Sequence, residues 1–281
     1  MKRLAFAAIA ILMAFTGFSQ KNAIRVEVTG KGSPVILLPG FGCPGSVWNE
    51  TVAELKKNHE CHMVTYAGFD GVAPVDTLWL PTVEKSIESY ISEKGLKDVT
   101  VVGHSIGGTF GLMLCKAPQS RVTRLVVVDM LPCIGMVMIP NFKPEYVTFD
   151  NPYNKRMLAM DNAAFGAMQK QMVANMCADT LRQRQIAEWM MKADRKTYVY
   201  GYTELMRTDL RETVKDIQQP VLVLAAGKYP TKEQIVKMYD EQYVNLKNKT
   251  VKFVDNSAHF VMYDQPAVLL NELKGFIPAK R

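Results

Sequence analysis

The residues best suited to covalent chemistry are found in the segment Gly103-His104-Ser105-Ile106-Gly107-Gly108. Its spacing is G-x-S-x-G. It directly follows the β-branched run Val99–Val102 and opens a helical pattern over Ile106–Lys116. A sharp strand-to-helix turn of this kind holds a serine on strained backbone, and small neighbours leave its hydroxyl accessible. Ser105 would also lie near the positive end of a helix, which favours developing negative charge. The alternative is a glycine-rich turn in which Ser105 only caps the helix.

A serine hydroxyl is a weak nucleophile and needs a general base. The chain has four histidines. His59 and His62 flank the start of an early predicted strand, and His104 lies inside the G-x-S-x-G segment. His259 follows the last predicted strand, in the kind of loop where an α/β sheet keeps its functional site. We therefore predict that His259 is the base for Ser105, rather than a structural or merely solvated histidine.

Acyl transfer also needs hydrogen-bond donors for a developing oxyanion. The segment Pro39-Gly40-Phe41-Gly42 follows the predicted strand Pro34–Leu38. Glycines in such a loop let backbone N–H groups approach a substrate oxygen. The predicted donors are the N–H of Phe41 and the N–H of Ile106, the residue after the nucleophile. The alternative is an ordinary Gly/Pro turn.

Composition limits the other classes of function. The chain has 281 residues, of which 48% are hydrophobic and 22% are charged, so it can form a well-buried core. The net charge is +7, but lysines and arginines are mixed with acidic residues and form no basic stripe with interleaved aromatic residues. We therefore predict no nucleic-acid partner, and a small-molecule substrate instead. The pattern does not predict an oligomeric state.

The five cysteines give no sign of a metal site. No CxxC pair or Cys/His cluster has metal-ligand spacing, so the sequence predicts neither a metal nor a cofactor. An odd number leaves at least one thiol unpaired, and a pairing of Cys133 with Cys177 stays open.

The N-terminus is typical of an export signal. Lys2 and Arg3 precede the apolar run Leu4–Phe15, and small residues follow near a cleavage point. We predict that residues 1–20 are a signal peptide, and that the mature chain is periplasmic or secreted. The apolar run is too short to span a bilayer, and no cysteine lies near the cleavage point, so no stable membrane anchor is predicted. The alternative is a buried N-terminal helix.

The order of the predicted elements places these residues at one edge of a sheet. From residue 24 to residue 131 strands and helices alternate, and after residue 216 the alternation resumes. Residues 132 to 215 hold no convincing buried strand and are rich in methionine. The predicted fold is α/β, with a mostly parallel central sheet flanked by helices. Its core comprises residues 21–131 and 216–281, and residues 132–215 form an inserted helical cap.

Together these features resemble the α/β-hydrolase superfamily over about residues 24–278. The resemblance is carried by the Pro39–Gly42 loop, the Gly103–Gly108 segment and the Ser257–Asp264 segment with His259. A further likeness to a branch of exported bacterial members is carried by Ala67–Gly71, Asp209–Arg211 and His259–Pro266. The resemblance implies a serine hydrolase that acts through an acyl-enzyme on an ester-type bond: a carboxylic ester, a thioester or a lactone. The Met-rich cap suits a small apolar substrate, although these methionines can equally serve only to pack the cap on the sheet.

The acid that completes the triad is the open point. In most members it follows the strand that corresponds here to Val221–Ala225, but no carboxylate occurs there before Glu233. Other members place the acid after the preceding strand, which here is Leu125–Val128 and ends at Asp129.

We predict that Asp129 is the acid, because Ser105, Asp129 and His259 then keep the superfamily's chain order. Many members also have a structural aspartate at this position. The alternatives are Glu233, Asp209, and a dyad or inactive site. An inactive site would make the chain a protein that binds a small apolar ligand.

Overall fold

The computed structural model describes residues 23–117, 119–228 and 231–278. Its central feature is a seven-stranded sheet. The strands are, in chain order, β1 (Ile24–Gly30), β2 (Ser33–Leu38), β3 (His59–Tyr66), β4 (Val99–His104), β5 (Val122–Val128), β6 (Val221–Ala226) and β7 (Lys249–Val254).

The spatial order of the strands is β1-β3-β2-β4-β5-β6-β7. Only β1 runs antiparallel to its neighbour, β3, and the other pairings are parallel. Every residue of β4 and of β6 is buried, as expected for strands covered on both faces. The predicted fold class, a mostly parallel sheet flanked by helices, is confirmed.

Eleven α-helices occur in the described part of the chain. They are α1 (Asn49–Leu55), α2 (Trp79–Glu93), α3 (Ile106–Lys116), α4 (Gly135–Met138), α5 (Pro152–Ala159), α6 (Asn162–Val173), α7 (Thr180–Lys192), α8 (Arg195–Arg207), α9 (Lys232–Gln242), α10 (Val261–Asp264) and α11 (Pro266–Phe276). Short 3-10 helices cover Gly45–Trp48, Pro144–Tyr146 and Thr213–Asp216. Helix α3 packs on β4 and β5, and this contact places its N-terminus at the carboxyl end of the sheet.

Helices α4 to α8 lie between β5 and β6 in chain order. The sequence patterns predict helices over 153–177 and 180–194, whereas the structure divides the first stretch into α5 and α6 and adds α8. The division has a local cause, because the Asp161 side chain accepts the N–H of Ala164 and caps α6. Likewise, the Asp194 side chain accepts the N–H of Thr197 and caps α8. The boundaries of the core and of the cap stay predictions.

The predicted signal peptide, residues 1–20, lies outside the described residues. Over the ranges that the structure describes, no helix is long and apolar enough to cross a membrane.

Candidate active site

Ser105 occupies a strained turn between β4 and α3. Its backbone has φ +53° and ψ −125°, which is unusual for a residue with a side chain. The glycines on either side permit this turn, because a Cβ on Gly103 would lie 2.2 Å from the carbonyl oxygen of Gly107. A Cβ on Gly107 would lie 2.3 Å from the carbonyl oxygen of Leu38. The G-x-S-x-G spacing is therefore a steric requirement of the way α3 abuts β2 and β4.

The parallel hydrogen-bond ladder continues past the ends of the strands and brings Ser105 beside Asp129. The N–H of Ser105 donates to the carbonyl oxygen of Val128 over 2.9 Å. The N–H of Asp129 donates in turn to the carbonyl oxygen of Leu224 over 2.8 Å. Asp129 has φ +49°, so the chain turns sharply there as it does at Ser105. The two residues thus occupy the carboxyl ends of adjacent strands.

Asp129 contacts His259 directly. Its Oδ2 lies 2.6 Å from Nδ1 of His259. Its Oδ1 accepts the N–H of Ala226 over 2.8 Å and the hydroxyl of Tyr239 over 2.9 Å. Burial alone would raise the pKa of Asp129, but the hydrogen bonds from His259, Ala226 and Tyr239 outweigh burial and hold that pKa below its ordinary value. Asp129 is therefore a carboxylate with both oxygens hydrogen-bonded.

This contact decides the tautomer of His259. A carboxylate can only accept hydrogen bonds, so Nδ1 of His259 must carry a proton. In the neutral ring Nε2 is then unprotonated and can accept a proton, which is the property of a general base. The His259 side chain is 20% exposed and that of Asp129 is 15% exposed, so the pair is shielded but reachable.

The other carboxylates considered for the acid lie elsewhere. The Asp209 carboxylate is held by the Arg211 guanidinium, at 2.9 Å from Nε and 2.6 Å from Nη2. Glu233 is exposed at the start of α9, and backbone and Thr231 hydrogen bonds lower the pKa of its carboxyl. Among the described residues, only Asp129 has a carboxylate that hydrogen-bonds the His259 ring.

His104 contacts His259 in a way that the sequence patterns do not reveal. It is fully buried, its Nε2 lies 2.9 Å from the carbonyl oxygen of His259, and the two rings are 4.5 Å apart between centroids. Burial, followed by the nearby His259 ring, holds the pKa of His104 well below its ordinary value, so the ring is neutral. Since a carbonyl oxygen only accepts, His104 donates from Nε2. His104 therefore fixes the backbone of His259 from the side of the Ser105 turn.

The predicted oxyanion donors lie at the same edge. Phe41 and Ile106 are buried, and within the described ranges neither backbone N–H donates a hydrogen bond. Unpaired N–H groups of buried residues are rare. A Cβ on Gly40 would lie 3.4 Å from Cβ of Ser105, so the Phe41 loop passes directly beside the Ser105 turn. Both N–H groups therefore remain free to bind an oxygen.

The Ser105 hydroxyl makes no hydrogen bond to any described residue, and Ser105 is partly exposed. The structure thus brings together the Ser105 turn, the Asp129–His259 pair and the two free N–H groups. The Ser105–His259 hydrogen bond is not formed here. Such bonds are often long in unliganded enzymes and tighten when substrate binds.

The segment between β5 and β6 supplies apolar side chains beside the Phe41 loop. The Phe41 ring lies 5.3 Å from the Tyr198 ring and 5.7 Å from the Tyr202 ring, both on α8. A Cβ on Gly42 would lie 3.0 Å from Cγ of Met190 on α7. The surroundings of the loop on this side are therefore aromatic and thioether groups.

The described part of the chain has no cluster of three or more histidine, cysteine or acidic side chains suited to a metal ion. All five cysteines are buried and unpaired, including Cys133 and Cys177.

Comparisons with known proteins show the family of the chain. A model of the alpha/beta hydrolase family matches residues 35–272. The chain is similar to the N-formylmaleamate deformylase of Pseudomonas putida, with 24% identity over 268 residues that cover 92% of each chain. It is also similar to the pimeloyl-(acyl-carrier protein) methyl ester esterase of Aliivibrio fischeri, with 22% identity over 89% of this chain and 96% of the relative.

Among solved structures, an esterase from Exiguobacterium antarcticum superposes with a TM-score of 0.75. The match covers 90% of this chain and 94% of that chain, at 18% sequence identity. A likeness at this identity shows a shared fold.

Proposed function

The chain is a hydrolase that belongs to the alpha/beta hydrolase family, and we propose that it cleaves ester-type bonds with Ser105 as nucleophile, His259 as base and Asp129 as acid. The observation that carries the proposal is the 2.6 Å contact of Asp129 with Nδ1 of His259, at the edge of the sheet where Ser105 turns. This contact leaves Nε2 of His259 to act on the nucleophile.

The geometry supports a two-step mechanism. Ser105 Oγ attacks the acyl carbonyl carbon while Nε2 of His259 takes the hydroxyl proton. The N–H groups of Phe41 and Ile106 stabilise the negative oxygen of the tetrahedral intermediate. His259 then protonates the leaving alcohol, and an acyl-enzyme remains on Ser105. In the second step His259 takes a proton from water, and the water oxygen attacks the carbonyl carbon of this ester. The proton then passes from His259 to Oγ of Ser105 as the acid product leaves.

Ionised Asp129 stabilises the imidazolium formed in each step. Because hydrogen bonds hold the pKa of Asp129 below its ordinary value, its charge is present at neutral pH. Tyr239 and Ala226 keep the carboxylate pointed at His259, since each binds the other oxygen. The site therefore has the features that the second, acyl-releasing step needs as well as those of the first.

We propose a carboxylic ester, thioester or lactone with a small apolar acyl group as substrate. The support for an apolar substrate is that Tyr198, Tyr202 and Met190 pack against the Phe41 loop, which carries one of the proposed oxyanion donors. Relatives that act as esterases support the type of bond.

The alternative is a catalytically impaired protein that binds a small apolar ligand. This alternative arises because the sequence has no carboxylate between β6 and Glu233. The Asp129–His259 contact supplies a carboxylate from β5 and so argues against this alternative.

A fluorophosphonate probe tests the proposal, because it reacts only with an activated serine. We expect the wild type to be labelled once per chain, Ser105→Ala to give no label, and His259→Ala to react much more slowly. Asn256→Gly, an exposed change in the same loop that tolerates the φ of +58° at this position, serves as the matched control and should label like the wild type. A folded wild-type protein that takes up no label would refute the serine mechanism and support the binding alternative.

We also propose that the enzyme is exported after removal of residues 1–20. The support is the charged, apolar and small-residue order of that segment. N-terminal sequencing of the protein from the periplasmic and medium fractions tests it. An intact N-terminus in the cytoplasmic fraction alone would contradict export.

A further inference from the structure

Asp264 is a charged residue of the His259 segment that the mechanism leaves without a role. It ends α10, and its carboxylate has three donors. Oδ2 accepts the N–H of Ala258 over 2.7 Å. Oδ1 accepts the N–H of Ala178 over 2.8 Å and the thiol of Cys177 over 3.4 Å. Asp264 thus joins the residue before the base to the chain between α6 and α7.

The backbone of the base is held at three successive residues. The N–H of Ala258 is bound by Asp264, and the carbonyl oxygen of His259 is bound by His104. The N–H of Phe260 donates to the carbonyl oxygen of Met176 over 3.0 Å. The first and third of these attachments lead to residues 176–178, which belong to the segment between β5 and β6. His259 is therefore attached on one side to the Ser105 turn, through His104, and on the other side to residues 176–178.

A second contact strengthens the link to the same segment. The Arg182 guanidinium lies 4.6 Å from the centroid of the Tyr263 ring, in the geometry of a cation–π contact. Arg182 also forms an ion pair with Glu50 at the start of α1. The first turn of α7 is thereby attached both to the His259 segment and to the core.

We propose that Asp264 is a positioning residue, which fixes the backbone of His259 against residues 176–178 so that Nε2 reaches Ser105. This inference rests on the proposed function. Within the described part of the chain, Asp264 forms no hydrogen bond with Ser105 or with the His259 ring, so it would act through the backbone. A displacement of a catalytic group by about 1 Å can cost on the order of 10²-fold in rate, which makes such an attachment consequential.

Asp264→Asn is the test variant. An amide has one acceptor oxygen, so only one of the Ala258 and Ala178 N–H groups can be bound, and the NH2 group faces the other. We expect kcat for p-nitrophenyl acetate to fall about 10- to 100-fold with KM unchanged within about twofold. Ala178→Pro removes the N–H from the other side of the link and should act in the same direction, which covers the case that Asp264→Asn does not fold.

Asp179→Ala is the matched control. Asp179 accepts the N–H groups of Leu181 and Arg182 and caps α7, but it does not contact the His259 segment. Its loss weakens the same part of the chain without freeing the base, so kcat should stay within about twofold of the wild type. An equal loss of kcat in Asp179→Ala and Asp264→Asn, or no loss in either, would overturn the proposal.

A double variant distinguishes an effect of Asp264 on His259 from a general loss of native structure. If Asp264 acts through His259, adding Asp264→Asn to His259→Ala should not slow fluorophosphonate labelling further. A further loss of the same factor would show that Asp264 acts by another route, and the proposal would fail.

Proton NMR gives a readout that needs no substrate. The short Nδ1–H bond of His259 to Asp129 should give a low-field resonance in the wild type and in Asp179→Ala. We expect it to broaden or move in Asp264→Asn, whether or not the protein hydrolyses esters. An unchanged resonance would overturn the positioning role even if Ser105 is labelled. An altered resonance in a protein that takes up no label would refute the serine mechanism alone.

Discussion

Replacing Asp129 by asparagine should abolish most activity while leaving the fold intact. At Oδ1 the aspartate accepts from the N–H of Ala226, which can only donate, and from the Tyr239 hydroxyl. The asparagine oxygen must therefore take that place, and its NH2 group must face His259. Nδ1 of His259 then becomes the acceptor and the ring proton moves to Nε2. That nitrogen can no longer take the proton of Ser105.

The expected loss is large because the ring is trapped in the wrong tautomer. An amide in place of a triad carboxylate costs on the order of 10⁴-fold in kcat, which is about 5 kcal/mol of transition-state stabilisation. The three side-chain hydrogen bonds to residue 129 can all be kept, although the one to His259 is reversed and loses its charge, so the free energy of unfolding should fall by only about 1–3 kcal/mol.

Steady-state hydrolysis of p-nitrophenyl acetate and urea unfolding measure the two effects. Asp209→Asn is the control, because it breaks the pair with Arg211 and leaves the His259 ring untouched. Its kcat should stay within about twofold of the wild type. If Asp129→Asn keeps more than about a tenth of wild-type kcat, Asp129 is not the acid.

The packing, burial and thiol contacts of the chain lead to four further predictions. Gly107→Ala should lower the free energy of unfolding by about 3 kcal/mol or more, because its Cβ would lie 2.3 Å from the Leu38 oxygen. Gly275→Ala, on a helix with open space around it, should raise that free energy by about 0.5–1 kcal/mol in the same urea assay. Burial keeps His104 neutral when folded, whereas unfolded His104 takes up a proton near its ordinary pKa of 6.5. The wild type should therefore lose stability relative to His104→Gln as pH falls below that value, with a slope approaching about 1.4 kcal/mol per pH unit; a slope of zero would contradict a neutral buried ring. A thiol-reactive dye should modify none of the five buried cysteines in the native protein and all five after denaturation; fewer than five would reveal a disulfide.

The centre of the sheet was predictable because strands such as β2, β4 and β6 are short apolar runs between turn residues. The residues of Ile24–Thr29 alternate between apolar and polar, a pattern that predicts a half-exposed antiparallel strand, and β1 is antiparallel to β3. The limits of the helices between β5 and β6 were harder to predict. Their limits depend on single capping side chains, Asp161 and Asp194, inside stretches whose apolar pattern continues. An aspartate followed by a helical pattern was the available signal at both positions.

The candidate site could be proposed from sequence where residue type decides the chemistry. A serine on a strand-to-helix turn, a histidine after the last strand and a carboxylate after β5 can each be recognised in sequence. His104, Tyr239 and Asp264 could not, because they act through contacts with residues 155, 110 and 6 positions away along the chain. Two of these contacts are to backbone groups, which every residue has, so no residue type marks the partner.

The position of Asp129 on β5 has a consequence for the turn after β6. If Asp129 is the acid, as we propose, the segment between β6 and α9 need not supply a group for proton transfer. Side-chain changes at Lys228 should then have little effect on turnover, provided that its backbone N–H keeps the 3.1 Å hydrogen bond to the carbonyl oxygen of Ser257 and that Ala226 keeps its hydrogen bond to Asp129. Related proteins with the same acid need not keep a catalytic side chain after β6. Amino-acid substitutions among them should therefore be more frequent in this segment than at the end of β5.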